Sequence, residues 1–485
     1  MNKAKETGQV FTPAYLVRDI LDTAGYAGAA CLHRHVIDNS CGNGAFLCEV
    51  VRRYCTAFLR YSSDTDTLKE ELQVYVHGIE IDAAAYGECL HNLDDAVAPF
   101  GIGGIRWDIH NEDTLRIGKY DGKMDFVVGN PPYVRVHNLQ DTYASVKAFH
   151  FADGGMTDLY LVFFEVGFRM LAPGGKLCYI TPSSWLNSVA GKHLRNFIWK
   201  ERTLLQLIDL EHFQAFKATT YTLISLFQKG ARTEAFLYGR YLGEERMVKY
   251  VESISFEDAF ISGEIYLADR ATLRLLRDII LYDKTRHVSV KNGFATLADN
   301  VFIRPDFPFK EFVIPVIKAS TGKWLKAFYP YDKSGRPLPK ETITAAPAVA
   351  NYLDACKELL LKGRREEDVI DWYLYGRTQA LLDVSKKKYA VNTCIRDTSS
   401  VKLNPVAEGQ GVYSGLYILT DVPFEEIRAL LVSDDFIRYV SLLKKYKSGG
   451  YYTFNSKELE RYLNYNIAKN RSHDTRQRNL FTSNI

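Results

Sequence analysis

No run of apolar residues in this chain approaches the ~20 needed to cross a bilayer as a helix, and the opening Met1-Asn2-Lys3-Ala4-Lys5-Glu6 has no hydrophobic signal core. Its eight cysteines are scattered without C-x-x-C spacing, which points away from a zinc site and from a disulfide framework. No metal is expected, and a reduced, cytoplasmic protein is the simplest reading. Strong charge of either sign is missing too: 61 basic against 58 acidic residues leave a formal net charge of +3. The distribution says more than the total. Residues 1–230 carry 22 basic and 26 acidic side chains, net −4, whereas residues 231–485 carry 39 and 32, net +7. The positive excess thus lies wholly in the second half, as expected if that half meets phosphates, although a solvated basic surface would read the same way. A chain of 485 residues is too long for one ordinary core, and 47% hydrophobic with 25% charged residues is the balance of a globular protein. Two domains are expected, residues 1–240 and 241–485.

Against that background one tetrapeptide stands out. Asn130-Pro131-Pro132-Tyr133 follows the apolar run Phe126-Val127-Val128-Gly129. The Asn130 side-chain oxygen and the Pro131 carbonyl can both accept hydrogen bonds from one exocyclic NH₂. Drawing on both protons leaves the nitrogen lone pair less committed to a ring and more available for attack. Successive prolines fix φ, so both acceptors are in place before a substrate arrives. The Tyr133 ring can stack on a flat substrate face. Asn and Pro are also ordinary turn residues, and the motif alone reads equally well as a turn. Its company upstream decides.

There, a short apolar strand ends at Asp38, a Gly42-x-Gly44 turn follows, and Phe46 to Tyr54 has helical spacing of Phe46, Leu47, Val50 and Val51. Small residues in the turn let a ligand approach the backbone. The third glycine of the G-x-G-x-x-G dinucleotide pattern is missing, and an acid at the strand end suits a cationic amino-acid group better than a pyrophosphate. A second strand, Val74–Asp82, again ends in acid. Glu80 is placed there to take both hydroxyls of a ribose, with the polar stretch Ser62–Glu71 accounting for the long interval. Asp113 precedes a strand at Asp125–Gly129 and could hold an adenine amine. Any one of these carboxylates could be a solvated loop residue. Three in succession, each at or before a strand end, imply a doubly wound sheet with ligands over its carboxyl edge.

These residues resemble the S-adenosylmethionine-dependent DNA methyltransferases that act on amino groups, specifically the N6-adenine enzymes of the TaqI-like and Eco57I-like kind. The resemblance spans roughly residues 8–228. Gly8-Gln9-Val10-Phe11-Thr12-Pro13 is similar to that family's N-terminal cofactor motif and Asp38 to Phe46 to its first cofactor motif. Glu80 is similar to its ribose-binding acid, Asp113 to the acid facing the cofactor adenine, and Asn130–Tyr133 to its catalytic motif. Asp158 to Lys176, then Ile180 to Leu186, resemble its following helix, turn and strand. The resemblance implies cofactor contacts from Phe11, Thr12, Pro13, Asp38, Cys41, Gly42, Gly44, Phe46, Glu80, Ile81, Asp113 and Asn130. It implies catalysis at Asn130, Pro131, Pro132 and Tyr133, with the extruded adenine stacked between Tyr133 and Phe216, Phe213 being the alternative one turn earlier. Asp38-Asn39 departs from the Glu-Pro or Asp-Pro of some relatives. No Asp-Pro…Glu-x-Lys nuclease arrangement is present, so any cognate restriction enzyme is expected to be encoded separately.

The implied fold is α/β, a doubly wound, Rossmann-like methyltransferase domain plus a C-terminal α+β DNA-recognition domain. The implied activity is methyl transfer from S-adenosylmethionine to N6 of a flipped-out adenine in double-stranded DNA, by a monomer. A glutamine-amide protein methyltransferase, an RNA adenine methyltransferase and a non-catalytic DNA-binding subunit remain as alternatives. In the second half, Tyr238–Tyr250 and the acidic Glu252–Asp258 read as transitional, Thr272–Leu281 as a helix, and the rest as short strands, aromatics and turns without repeats. Candidates for DNA contact are Lys386 and Lys387, then Lys444, Lys445, Lys447 and Tyr451 around a helix, Asp435–Tyr446, that ends at Gly449-Gly450. The basic tail with Lys469, Arg471, Arg476 and Arg478 is a further group. A solvated face is the competing reading for each lysine.

Overall fold

The computed structural model describes residues 12–136, 146, 148–153, 157–213, 216, 221–362 and 371–482, with residues 473–482 described by backbone only. Two compact units divide between Arg274 and Leu275, inside the helix Arg270–Ile280. The expected division at residue 240 falls earlier. Its displacement has a structural cause: Ala235–Leu242 and Met247–Ser255, read from sequence as transitional, are strands that extend the first unit's sheet.

The strands of that sheet are β1 (Val36–Asp38), β2 (Val76–Ile79), β3 (Asp108–His110), β4 (Met124–Gly129), β5 (Leu171–Pro182), β6 (Leu204–Asp209), β7 (Thr222–Gln228), β8 (Ala235–Leu242) and β9 (Met247–Ser255). Among the described residues they lie in the order β3-β2-β1-β4-β5-β7-β6-β8-β9. β1 to β5 run parallel, and β7 runs antiparallel between β5 and β6. Alternation along β5 shows why the sheet is covered on both faces. Cys178 and Ile180 join a core shared with helices Ala14–Ala24, Ala45–Phe58 and Ala83–Val97. Tyr179, between them, instead meets Phe164 of helix Leu159–Met170 at 5.5 Å. The expected α/β, doubly wound architecture is therefore present. Strand order reverses beside β1, whose neighbours are β2 and β4, and in such sheets ligands bind outside the carboxyl ends at that reversal.

Local readings differ in places. The polar stretch after Ser62 is largely helix Thr65–Tyr75, because Asp64 caps it by accepting from the Asp66 and Thr67 amides and Leu68 and Leu72 supply a buried face. β2 consequently starts at Val76 rather than Val74. The turn expected at Leu171–Lys176 is a bulge within β5, with Gly174 at φ +77°, and Ser183–Leu186 forms a 3-10 turn instead of continuing the strand.

The second unit is α+β. One sheet pairs Val288–Asn292, Leu416–Thr420, Lys388–Val391 and Leu403–Val406; another pairs Ile303–Arg304, Lys323–Phe328, Val313–Lys318 and Gly411–Tyr413. Many of this half's aromatics, among them Phe302, Phe328, Tyr352 and Tyr375, form its core. The helix expected over Asp435–Tyr446 spans Asp434–Leu442. It stops there because Lys444 adopts φ +53° and Tyr446–Lys447 pairs with Tyr451–Thr453 across a turn at Gly449 and Gly450. Among the described residues no helix is long and apolar enough to cross a membrane.

A polar chain ties together the amino ends of the parallel strands. His35 Nδ1 lies 2.9 Å from His77 Nε2, and His77 Nδ1 lies 2.6 Å from Asp108 Oδ2. Burial, with His77 beside it, holds His35 below the usual histidine range. Burial opposes the charge of Asp108, but hydrogen bonds from His77, Lys119 and His110 outweigh it and leave the carboxyl well below the usual carboxylate range. The fold thus keeps His35 neutral while the unfolded chain gains a proton below about pH 6.5. Stability is full above that pH and falls as pH drops toward the folded value. Thermal melts over about pH 5 to 8 should show His35→Gln losing part of this acid sensitivity; identical profiles for the two proteins would remove His35 from the account.

Candidate active site

Asp38 ends β1 opposite Val128 of β4, so Asn130 begins the chain's exit from the sheet beside it. The contact is close. A Cβ on Gly129 would lie 2.7 Å from Asp38 Oδ1, and Gly129 has φ +151°. Glycine alone lets the carboxylate approach the backbone there. Asp38 is 1% exposed and accepts from the Ser40 amide at 3.0 Å. Burial pushes its carboxyl up to about 7; the Ser40 amide opposes that shift and the charge of Glu80 adds to it.

Glu80 is held by both oxygens. Oε2 accepts from the Gly42 amide and Oε1 from the Asp82 amide, each at 2.8 Å. The glycine turn is thereby folded onto β2, helped by Cys41 N donating to Ile79 O at 3.0 Å. Gly42 and Gly44 take left-handed φ values of +53° and +85°, as a turn leading straight into helix Ala45–Phe58 requires. Cys41 and Phe46 are buried in the core, whereas Ile81 at the strand tip is 69% exposed.

Tethers that sequence reasoning missed bring Asp113 to the same edge. Asn111 Nδ2 donates to the Glu80 and Ile81 carbonyls at 2.8 and 3.1 Å, and Thr114 Oγ1 donates to Asn39 O at 2.6 Å. Asp113 itself accepts from the Leu115 amide at 3.0 Å and lies 3.3 Å from Arg116 Nε. Asn39, standing where some relatives have proline, is fully buried and accepts from the Tyr179 hydroxyl at 2.8 Å. No local sequence signal marks these contacts, since each joins residues far apart in the chain.

Asn130 Nδ2 donates to Thr12 Oγ1 at 3.1 Å, bringing Thr12-Pro13, at the start of helix Ala14–Ala24, to the N-P-P-Y corner. Phe11 and Gly8 to Val10 lie outside the described residues. Pro131 is buried and Pro132 half-buried. The chain is pinned just beyond, where Leu159 N donates to Val134 O at 2.8 Å and Val136 N to Thr157 O at 2.9 Å. The Tyr133 hydroxyl donates to Ile180 O of β5 at 3.1 Å. Its ring meets Phe216 edge-on, centroids 6.4 Å apart and planes at 80°. Phe213 packs elsewhere: its ring lies 5.3 Å from that of Tyr241, and a Cβ on Gly243 would fall 2.0 Å from it. Of the two candidates, Phe216 is the ring beside Tyr133.

In the second unit the basic candidates are in different states. Lys386 Nζ lies 2.9 Å from Asp383 Oδ1 and Lys445 is ion-paired with Glu458. Lys444 stands 5.9 Å from the Tyr446 ring centroid, and the Arg396 guanidinium stands over the Tyr451 ring at 5.4 Å. Lys387 and Lys447 are exposed. The side chains of Arg476 and Arg478 lie outside the described residues.

Residues 80–216 match the profile of the Eco57I restriction-modification methylase family. The chain is 26% identical over 339 residues to the type II methyltransferase M.BstVI of Geobacillus stearothermophilus, covering 61% of this chain and 60% of that protein. It is 30% identical over 236 residues to M.XhoI of Xanthomonas vasicola, covering 46% and 43%. It is 23% identical over 488 residues to the restriction enzyme and methyltransferase RM.Eco57I of Escherichia coli, covering 78% and 48%. The chain thus spans about half the length of these relatives. In fold it is similar to the type IIL restriction-modification enzyme MmeI, solved in complex with DNA, with a TM-score of 0.64 at 12% identity over 92% of this chain and 63% of that one.

The state of Asp38 gives a measurable consequence. An aspartate in the unfolded chain ionises near pH 4 (about 3.9), whereas Asp38 in the fold does so at about 7. Between those values the fold binds the extra proton, so the contribution of Asp38 to stability is present at low pH and lost as pH rises through about 7. Asp38→Asn, without ligand, should therefore melt higher than wild type at about pH 8, by a margin that shrinks toward about pH 5. A margin that does not depend on pH would refute the assignment.

Proposed function

From the similarity of the chain to type II restriction-modification methylases, we propose that it transfers a methyl group from S-adenosylmethionine to N6 of adenine in double-stranded DNA. The observation that carries this reading is the Asn130 corner, a diproline-stiffened turn at the reversal of the sheet, one residue beyond the Gly129–Asp38 contact.

The residues along the strand tips fit the cofactor. Asp38 suits its cationic amino-acid portion, whose charge would draw the buried carboxyl into its ionised form. Glu80, fixed by two backbone donors, retains lone pairs for the two ribose hydroxyls. Exposed Ile81 offers an apolar face to the adenine ring, with Asp113 for its amine. Bound there, the cofactor supplies a methyl group on a positively charged sulfur.

The chain does the rest by placement. The Asn130 amide oxygen and the Pro131 carbonyl accept the two protons of the target amine, while Thr12 takes the other end of the Asn130 amide. The target amine cannot be reached inside a duplex, so the base must leave the stack, at a cost of a few kcal/mol. Stacking on an aromatic returns about 1–3 kcal/mol. Tyr133, anchored through its hydroxyl, is the fixed platform. Phe216 covers the other face once its ring turns from edge-on to parallel. With the acceptor nitrogen held in line, positioning supplies most of the acceleration, and the proton leaves after transfer. The first unit is thus the catalytic one and the second the target-recognition one. A restriction enzyme encoded separately is the expected counterpart of a cytoplasmic, monomeric modification enzyme.

Two substitutions test the corner. Asn130→Ala should leave equilibrium cofactor binding intact and cut labelled methyl incorporation into duplex DNA by at least about a hundred- to thousand-fold. Retained turnover with weakened cofactor binding would make Asn130 a cofactor ligand instead. RNA and a glutamine-bearing release factor, run in parallel, should accept no label. Tyr133→Ala should weaken capture of the extruded base by about 1–3 kcal/mol, read with a fluorescent adenine analogue at the target position; unchanged fluorescence and turnover would displace it from the platform.

A further inference from the structure

Two buried charges stand at the root of the loop that leads into strand Lys388–Val391. Asp383 is 2% exposed and Lys388 4% exposed. The Asp383 carboxylate engages Lys291 Nζ at 2.7 Å, Lys386 Nζ at 2.9 Å and the Tyr417 hydroxyl at 2.8 Å. Lys388 Nζ instead donates to backbone, the Asp383 and Lys386 carbonyls, at 2.7 and 3.0 Å. Burial pushes this ammonium down to about 8; the charge of Asp383 opposes that shift and Lys386 adds to it. Buried charges of this kind add little net stability over apolar residues of the same size. What they do here is fix geometry, because one ammonium draws two carbonyls inward and sets the path of the loop that carries Lys386 and Lys387.

That loop borders a cavity of about 1180 Å³, where Arg286, Lys386, Lys387 and Lys388 stand against the acids Glu408 and Asp421. Sheet register explains why the cations gather. Val288–Asn292 and Lys388–Val391 both pair antiparallel with Leu416–Thr420, so they run the same way and enter the sheet at the same end. Arg286 precedes the first strand, Lys386 and Lys387 the second, two inter-strand spacings or about 10 Å apart. Trp324 borders the same cavity and is 46% exposed. Arg286 and Lys386 rest on Glu460 and Asp383, at 3.0 and 2.9 Å. Lys387 is exposed, which leaves it the cation with most to gain from an anion.

Cations spread along one end of a sheet suit successive phosphates of a strand better than one compact anion. The cavity is also larger than the ~300–1,000 Å³ of ordinary small-molecule pockets. An exposed indole adds an apolar face for a sugar and an N–H for a phosphate oxygen. We propose that this cavity is a phosphate site in which the backbone of the target duplex lies, with Arg286, Lys386 and Lys387 on its phosphates and Trp324 beside a sugar. The inference rests on the reading of the chain as a DNA-modifying enzyme and gives the DNA backbone its seat in the second unit. It also separates the basic candidates of this half. Lys386 and Lys387 sit on a loop fixed from within, beside a cavity, whereas Lys445 is paired with Glu458.

The test uses the full chain, fluorescence anisotropy with a labelled DNA duplex, and a salt titration. Each phosphate contact contributes a slope of about −0.9 to the logarithm of affinity against the logarithm of salt. Lys387→Gln should make the slope shallower by about 0.9 at an unchanged melting temperature, and Lys386→Gln with Lys387→Gln by about 1.8. Trp324→Ala should weaken binding without changing the slope. Lys333→Gln, exposed and outside the cavity lining, should change neither. Inorganic pyrophosphate, followed by calorimetry, is the free-anion arm. Pyrophosphate binding that Lys387→Gln abolishes, with the DNA slope kept, overturns the duplex as the ligand. A Lys387→Gln variant that keeps the wild-type slope while the wild type binds and methylates DNA overturns the cavity's role alone, as does a Lys333→Gln variant that loses as much slope. A wild type that binds cofactor yet shows no salt-dependent DNA binding overturns the cavity together with the function it rests on.

Discussion

The approach of the Asp38 carboxylate to the Cα of Gly129 is the constraint around which the first unit is organised. Parallel pairing sets β1 and β4 side by side, but pairing alone would leave a side chain between the acid and the backbone. Glycine at position 129 removes it. The acid that suits a cationic ligand group and the turn that presents acceptors to an amine then lie within one residue of each other. Under the proposed methyl transfer, donor and acceptor have to be brought to near contact, and two adjacent strands would do that without any flexible arm.

That closeness has an energetic consequence. Asp38 is shut away from water, with the Ser40 amide as its backbone donor, so its ionised form is disfavoured until a counter-charge arrives. Glu80 differs: two amides engage its carboxylate, which suits the proposed hold on neutral hydroxyls. Two acids near one another thus meet different surroundings, which would suit them to the separate duties proposed above. Burial favours the neutral form of the first, and a cation beside it would favour its ionised form.

Much of this was legible in the residues because the chemistry is local in sequence. Asp38, the glycine turn, Glu80 and Asn130–Tyr133 each end a strand or follow one, and period and turn composition place strand ends. What escaped was non-local. Thr114 reaching Asn39, Asn111 reaching Glu80, and Asn130 reaching Thr12 across 118 positions are decided by which strands become neighbours. Helix Thr65–Tyr75 was missed for the opposite reason, since its polar face hid a short buried stripe behind an Asp64 cap. In the second half, abundant aromatics beside lysines suggested nucleic-acid contact, yet Phe302, Phe328 and Tyr375 are core. Composition cannot separate a ring that stacks on a base from one that fills a domain.

The displaced boundary between the units follows from the same site. β8 and β9 lie at the far edge of the sheet, yet their hairpin braces the elements that frame the N-P-P-Y corner. The Tyr241 hydroxyl donates to Asp19 at 2.8 Å, and the Arg246 guanidinium stands 4.8 Å from the Tyr15 ring centroid, so the helix that begins beside Thr12 is held from outside. Phe213 packs on Tyr241 and fills the space over Gly243, anchoring the chain three residues before Phe216. Thr12 fixes one end of the Asn130 amide and Phe216 borders Tyr133, so both flanks of the acceptor corner are supported by this one hairpin. A boundary at residue 240 would cut through that brace and leave the corner without its frame. The first unit therefore includes these strands, which is why a sequence pattern ending near residue 228 understates its length.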